Sequence, residues 1–281
     1  MIPQPFDYTA PRSLQEALEL LKSGERKILA GGMSLIPLMK LRLATPEQVV
    51  DLGGLKNLNY IAENEGVVRI GAMATHHDIE MSPVVRGRCP LLADVASRIG
   101  DVQVRNRGTL GGSIAHADPA ADYPAALIAL ESKVRLVSAN SDRTVDAADF
   151  FLDAFTTAIE PGEIVLELQV PIEDSSEGYA YEKVSHPASG FAVVGVAVRV
   201  KRNGGRISMA RIGVTGMGPR VFRDRAAEKQ VEEGVDPFHA TLGIGEGESV
   251  NSDIYASGDY RRHLARVHAT RAIKTALSRA L

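Results

Sequence analysis

Arg105 to Pro124 reads RNRGTLGGSIAHADPAADYP, and how this stretch is understood decides the fold. A threonine, a glycine pair and two aspartates precede an apolar run, which is what a backbone needs to turn around an anion and then enter a helix. Upstream lies a second glycine pair, Ala30-Gly31-Gly32-Met33-Ser34, followed by Leu35 to Lys40. Each pair stands beside a hydroxyl, and glycine lets the backbone turn sharply and approach a ligand closely. Consecutive exposed N–H groups in such turns make concave anion sites. Two of them facing one cavity could hold a diphosphate from both sides. A lone Gly-Gly is also a plain turn; what favours the anion reading is the same small-residue, hydroxyl and apolar pattern at two places.

The rest of the composition bounds the function. With 281 residues the chain is long enough for two or three units with a substantial core. Its net charge is −3, with 32 basic residues spread along the chain rather than massed in a stripe, so no nucleic-acid footprint is visible. The longest apolar stretch, Phe191 to Val198, falls far short of the roughly 20 residues that cross a bilayer. The start, MIPQPFDYTAPRS, has neither the basic nor the apolar region of a signal peptide, so a cytoplasmic protein is expected. There is one cysteine, Cys89, which reads as a structural residue. An internal disulfide is excluded, and an iron–sulfur cluster cannot be built by this chain alone. Any electrons handled here need an organic cofactor.

Periodicity divides the chain into three parts. Residues 1–52 read as a small α/β unit: Ser13 caps a helix through Lys22 that ends at Ser23-Gly24, Lys27 to Leu29 and Val49 to Leu52 are strands, and Ser34 to Leu43 is a short helix in which Pro37 is confined to the first turn. An anion after Gly32 would profit from that helix's dipole. Residues 53–174 carry a hairpin, Tyr60 to Ala62 and Val67 to Ala72. Helices are expected at His76 to Met81 with Thr75 as cap, at Pro90 to Ile99 and at Ala120 to Leu130, and strands at Lys133 to Ser138 and Ile164 to Val170. Residues 175–281 hold strands at Tyr179 to Val184, Ala192 to Arg202 and Ile207 to Gly213, the last two joined by Asn203-Gly204-Gly205, then helices at Arg223 to Glu233 and Tyr260 to Ala280. This last part is a small antiparallel sheet with helices on one face.

Several motifs are absent. There is no P-loop, and neither Gly216-Met217-Gly218 nor Gly243-Ile244-Gly245 completes a dinucleotide fingerprint, so both read as turns. His76 and His77 point to different faces of any helix and do not share a metal. His116 either borders a cofactor or bonds the loop backbone. No catalytic residue and no metal ligand stands out, which leaves the chemistry to a bound cofactor.

The residues AGGMSLIPLMK (Ala30 to Lys40), RLATPEQVVDL (Arg42 to Leu52), RNRGTLGGSIAHADPAADYPAAL (Arg105 to Leu127), GYAYEKVSHPASGFAVVGVAV (Gly178 to Val198) and YRRHLARV (Tyr260 to Val267) together resemble the FAD-binding medium subunit of the molybdenum hydroxylases. That group includes carbon monoxide dehydrogenase and the xanthine dehydrogenases. The resemblance implies an α+β fold: two subdomains enclosing FAD, plus a C-terminal antiparallel sheet-and-helix domain. It implies that Ala30, Gly31, Gly32, Met33, Ser34 and Leu35, with Thr109, Gly111, Gly112 and Ser113, cradle the FAD diphosphate through backbone N–H groups and the Ser34 and Thr109 hydroxyls. Asp118 would join that cofactor set, and Asp122 would bond ribityl or ribose hydroxyls. Lys183 would sit near the polar edge of the flavin, and Phe191 over the isoalloxazine ring. Met33, Ser113 and Gly190 depart from residues frequent in the family, which are histidine, asparagine and an acid. The implied function is an electron-transfer subunit of an oxidoreductase. It takes electrons from [2Fe-2S] clusters on a small subunit, fed by a molybdenum cofactor on a large subunit, and passes them to an external acceptor in a dimer of heterotrimers. The alternatives are a stand-alone flavin-dependent oxidoreductase and a cofactor-free scaffold of the same fold.

Overall fold

Three larger hydrogen-bonded sheets follow one another along the chain, with a two-stranded ribbon of Phe151–Asp153 and Thr156–Thr157 beside them, in a computed structural model that describes residues 1–22 and 26–281. The first sheet is parallel, with Gln48–Asp51 between Asp7–Thr9 and Arg26–Leu29. Its helix Leu14–Leu21 starts where expected, because the Ser13 hydroxyl accepts the Glu16 N–H and satisfies an otherwise orphaned donor. The expected stop at Ser23-Gly24 lies outside the described residues. Leu35–Lys40 forms the second helix, with Pro37 inside its first turn, where the missing N–H costs nothing.

The second sheet has five antiparallel strands in the order Ile61–Asn64, Val67–Gly71, Ile164–Pro171, Lys133–Val137, Asp142–Asp146. Its first hairpin closes through Glu65 and Gly66, both at positive φ, in the primed-turn geometry that matches strand twist. The helices Pro90–Ser97, Leu110–His116 and Tyr123–Ala129 contribute to the core that includes Val68, Ile70, Leu136 and Leu168 of this sheet. All seven residues of Tyr123–Ala129 are buried. Cys89 is fully buried in the same core, and that burial, with Glu173 nearby, pushes its thiol up to about 12, so it is inert.

The third sheet is antiparallel, in the order Glu177–Ser185, Ala192–Asn203, Arg206–Thr215, Phe222–Arg223. Asn203 pairs with Arg206 across Gly204 and Gly205, both at positive φ, so the Asn-Gly-Gly signal gives a two-residue hairpin. The terminal helix Gly258–Arg279 and the helix Arg225–Glu232 contribute to one core with this sheet. Tyr123–Ala129 packs from the other side, close enough that a Cβ on Gly213 would come within 2.2 Å of the Ala125 carbonyl oxygen. No helix among the described residues is long and apolar enough to cross a membrane.

Several sequence expectations change. The helix expected over Ala120 to Leu130 begins only at Tyr123, because Asp118 closes a turn by accepting the Ala120 N–H. Arg223 belongs to a short strand, so its helix starts at Arg225 behind the Asp224 cap. The strand Asp142–Asp146 and the helix Val102–Arg107 were not expected at all.

Candidate functional site

The two glycine pairs meet, but they are built differently. The first is an open turn. Gly32 has φ +77, a left-handed conformation that only glycine adopts without strain. Beyond it, the N–H groups of Gly31, Gly32, Met33, Ser34 and Leu35 have no protein acceptor among the described residues, and the Ser34 hydroxyl makes no cap bond. Met33 turns its side chain outward and is 38% exposed.

Gly111 and Gly112 are not in a loop. They lie in the first turn of the helix Leu110–His116, capped by Thr109, whose hydroxyl accepts the Gly112 N–H at 3.1 Å. The backbone ahead of the helix runs antiparallel to Ala72–His76, bridging at Thr75 and Thr109. Leu110 N–H donates to the Ala74 carbonyl, Gly111 N–H to the Ala72 carbonyl at 2.9 Å and Ser113 N–H to the Thr109 carbonyl at 3.0 Å. The N–H groups of Leu110, Gly111 and Gly112, which the sequence reading assigned to an anion, are therefore already engaged. Gly111 is glycine for packing: a Cβ there would lie 2.5 Å from the Ala72 Cβ. What remains on this side for a ligand is the Thr109 N–H, which has no acceptor, and the Ser113 hydroxyl, which has no hydrogen-bond partner, among the described residues.

Contact between the two is direct. A Cβ on Gly31 would come within 2.0 Å of the Arg107 carbonyl oxygen and 2.8 Å of Gly108 Cα, and one on Gly112 within 3.3 Å of Ala30 Cβ. Behind Gly108 stands His76, buried at the start of its helix behind a Thr75–Asp78 capping box. Its Nδ1 lies 3.1 Å from the Tyr123 hydroxyl, and burial, helped by Arg105, lowers it to about 4, so it is neutral. His77 on the opposite face is exposed, as the helical geometry requires.

Asp122 and Lys183 are brought to each other. Lys183 Nζ lies 2.9 Å from the Asp122 carboxylate and donates to the Arg98 carbonyl at 3.0 Å, with both side chains almost wholly buried. The other Asp122 oxygen accepts the Tyr181 hydroxyl at 2.5 Å. Burial pushes the Asp122 carboxyl up, and Lys183 and Tyr181 pull against it. These groups form an internal ion pair where the sequence reading placed two separate ligand contacts. Tyr181 went unnoticed, since a tyrosine in a strand reads as an ordinary strand former. The usable signal is that a buried tyrosine needs a partner for its hydroxyl.

Phe191 is 42% exposed and opens the strand Ala192–Asn203 from a turn in which Gly190 approaches Gly100. Gly100 is held by Arg105, which donates to the Ile99 and Gly100 carbonyls and pairs with Glu80 at 2.9 Å. Between Gly100 and Gly108 runs the helix Val102–Arg107, capped by Asp101, with no buried residue and Val102 60% exposed. This six-residue helix is about 9 Å long and lies between the Gly100 contact of the Phe191 turn and the Gly108 contact of Gly31.

Asp118 and His116 lie off this line. Asp118 borders a shallow depression of about 210 Å³, open solvent included, with Pro119, Pro124, Phe151 and Arg220. His116 packs on Phe155 with ring centroids 5.1 Å apart, and burial lowers its pKa. Among the described residues no group of His, Cys, Asp or Glu could hold a metal.

Comparison with known proteins places the chain in a family. Residues 4–173 match the family model described as "FAD binding domain in molybdopterin dehydrogenase", and residues 179–276 match "CO dehydrogenase flavoprotein C-terminal domain". The chain is 38% identical to the carbon monoxide dehydrogenase medium chain of Hydrogenophaga pseudoflava, over 99% of both chains. It is also 38% identical to the glyceraldehyde dehydrogenase medium chain of Sulfolobus acidocaldarius, over 98% of this chain and 99% of that one. Among solved structures, reconstituted CO dehydrogenase from Oligotropha carboxidovorans superposes with a TM-score of 0.95 at 36% identity, covering 100% of both chains. The chain belongs to the family of FAD-binding medium subunits of the molybdenum hydroxylases.

Proposed function

We propose that Gly31 to Leu35 is the direct diphosphate cradle of this FAD-carrying electron-transfer subunit. The observation that carries the reading is the run of unpaired N–H groups there, held in place by the close approach of Gly31 to Arg107 and Gly108. The Ser34 and Ser113 hydroxyls add side-chain donors. Gly111, Gly112 and Thr109 act one step back, by building the wall against which the first turn rests. Val102–Arg107 provides the floor between cradle and ring, which accounts for an exposed valine on a helix without buried residues. Phe191 covers the ring, and the Asp122–Lys183 pair with Tyr181 fixes the frame beneath it. Bound FAD supplies one- and two-electron redox chemistry that none of these side chains has.

The family assembles as small, medium and large subunits, with the clusters and the molybdenum cofactor on the partners. We extend this to a dimer of heterotrimers in the cytoplasm, serving an external acceptor. The test is a visible absorption spectrum of the natively purified chain, followed by release and identification of bound nucleotide. Stoichiometric FAD is the expected result. A folded chain that is colourless and takes up no added FAD would contradict the reading.

A further inference from the structure

The residue that decides where Phe191 stands is His186. Phe191 ends a tight turn in which His186 N–H donates to the Phe191 carbonyl at 2.8 Å and Gly190 N–H donates to the His186 carbonyl at 2.9 Å. The imidazole closes the turn from inside. Its Nδ1 lies 3.2 Å from the N–H groups of Ala188 and Ser189 and 3.2 Å from the Ser189 hydroxyl. A ring nitrogen that accepts backbone N–H groups carries no proton, so the neutral ring bears its hydrogen on Nε2. That Nε2 is sealed from solvent and has no nitrogen or oxygen partner. The ring meets Tyr255 edge to face, with centroids 4.2 Å apart.

Tyr255 is itself anchored. Its N–H donates to Asp253, whose carboxylate pairs with Arg261 at 2.5 Å. Arg261 donates to the Val193 carbonyl at 2.6 Å and the Gly216 carbonyl at 2.8 Å. Val193 is two residues beyond Phe191, so the contacts close a circuit: turn, His186, Tyr255, Asp253, Arg261, strand. On the other side Gly190, at φ +72, rests against Gly100 of the FAD-binding region. Phe191 is thus exposed as a side chain yet held at both ends of its backbone.

We propose that His186 is a positioning residue whose bare Nδ1 holds this turn and so sets the placement of Phe191 against the flavin ring. The inference rests on Phe191 being the ring-side aromatic, as argued above. Two readouts test it in the full chain. The first is nitrogen-15 NMR of the labelled imidazoles, with and without FAD, the His186 signal being assigned by its disappearance in His186→Asn. The Nε2–H tautomer is expected in both states; an Nδ1–H tautomer would overturn the proposal. The second is a substitution series. Asparagine places its amide oxygen where Nδ1 sits, whereas glutamine reaches the Nε2 position. His186→Asn should keep the visible circular dichroism of bound FAD and an affinity within about 2-fold of the parent, while His186→Gln and His186→Ala should alter the flavin bands and weaken FAD about 10-fold, the scale of one lost hydrogen bond. Asn and Gln variants that behave alike, with FAD still bound, would overturn the role of His186 alone. A folded chain that takes up no FAD would overturn the reading of Phe191 and the assigned role together.

Discussion

Gly31-Gly32 and Gly111-Gly112 look alike as sequence and do opposite work as structure. The first pair leaves a run of donors without protein acceptors, and the second places its donors on Thr109 and Ala72 and brings a helix into contact with the sheet. A glycine pair beside a hydroxyl therefore marks a place where backbone comes close to something, and only the partner tells whether that something is a ligand or the protein itself. Here the packing pair makes the binding pair possible, because Arg107 and Gly108, just ahead of the second, press on Gly31 of the first.

The sharpest way to break this distinction is Gly111→Val. With Ala72 Cβ 2.5 Å and Ala72 O 2.8 Å from the position of a bare Cβ, the larger side chain should prevent recovery of folded protein, or lower its stability by more than about 3 kcal/mol. Urea unfolding of whatever is recovered checks it; an unchanged midpoint means that this pair is not a packing pair. Next comes the ion pair beneath the site. Lys183→Met leaves the buried Asp122 without its cation and should cost about 3–5 kcal/mol in thermal unfolding. The double variant Lys183→Met with Asp122→Asn should recover much of that loss, whereas equal losses in single and double variants would show that the pair is not coupled.

Glu173 provides a reference away from both glycine pairs. Burial pushes its carboxyl up to about 7, although Arg199 nearby and the Leu91 N–H pull the other way. The folded state then keeps a proton that the unfolded chain releases near 4.5. Stability should fall as pH rises from that value through about 7, by at most about 3 kcal/mol, and level off above. Glu173→Gln should flatten the profile, matching the parent at pH 5 and exceeding it at pH 8; parallel profiles would contradict the assignment. Gly32→Ala should have the smallest effect on stability, about 1 kcal/mol for a left-handed alanine. Its FAD affinity should fall about 10-fold or more, and the contrast with Gly111→Val, where the fold goes first, is what separates the two pairs.

Much of the fold was legible because its signals were local. Ser13 and Thr75 cap the helices their positions announce, and Asn203-Gly204-Gly205 sets a hairpin. The helix at Leu110–His116 was hidden, because two glycines argue against helix and only the fit against Ala72 reverses that. Asp142–Asp146, reading DRTVD, became a strand through pairing with Lys133–Val137 rather than through hydrophobicity. At the site, the sequence named residues but not their relations. That Asp122 faces Lys183 across 61 positions, or that Arg105 holds Gly100, is tertiary information with no local trace.

The central claim is tested most directly by amide hydrogen exchange of the full chain with and without FAD. Without FAD, the amides of Gly31 to Leu35 should exchange rapidly and those of Leu110 to Ser113 slowly. On FAD binding the first group should become protected and the second stay unchanged. Protection that appears at Leu110 to Ser113 while Gly31 to Leu35 stays open would contradict the division of labour between the two glycine pairs.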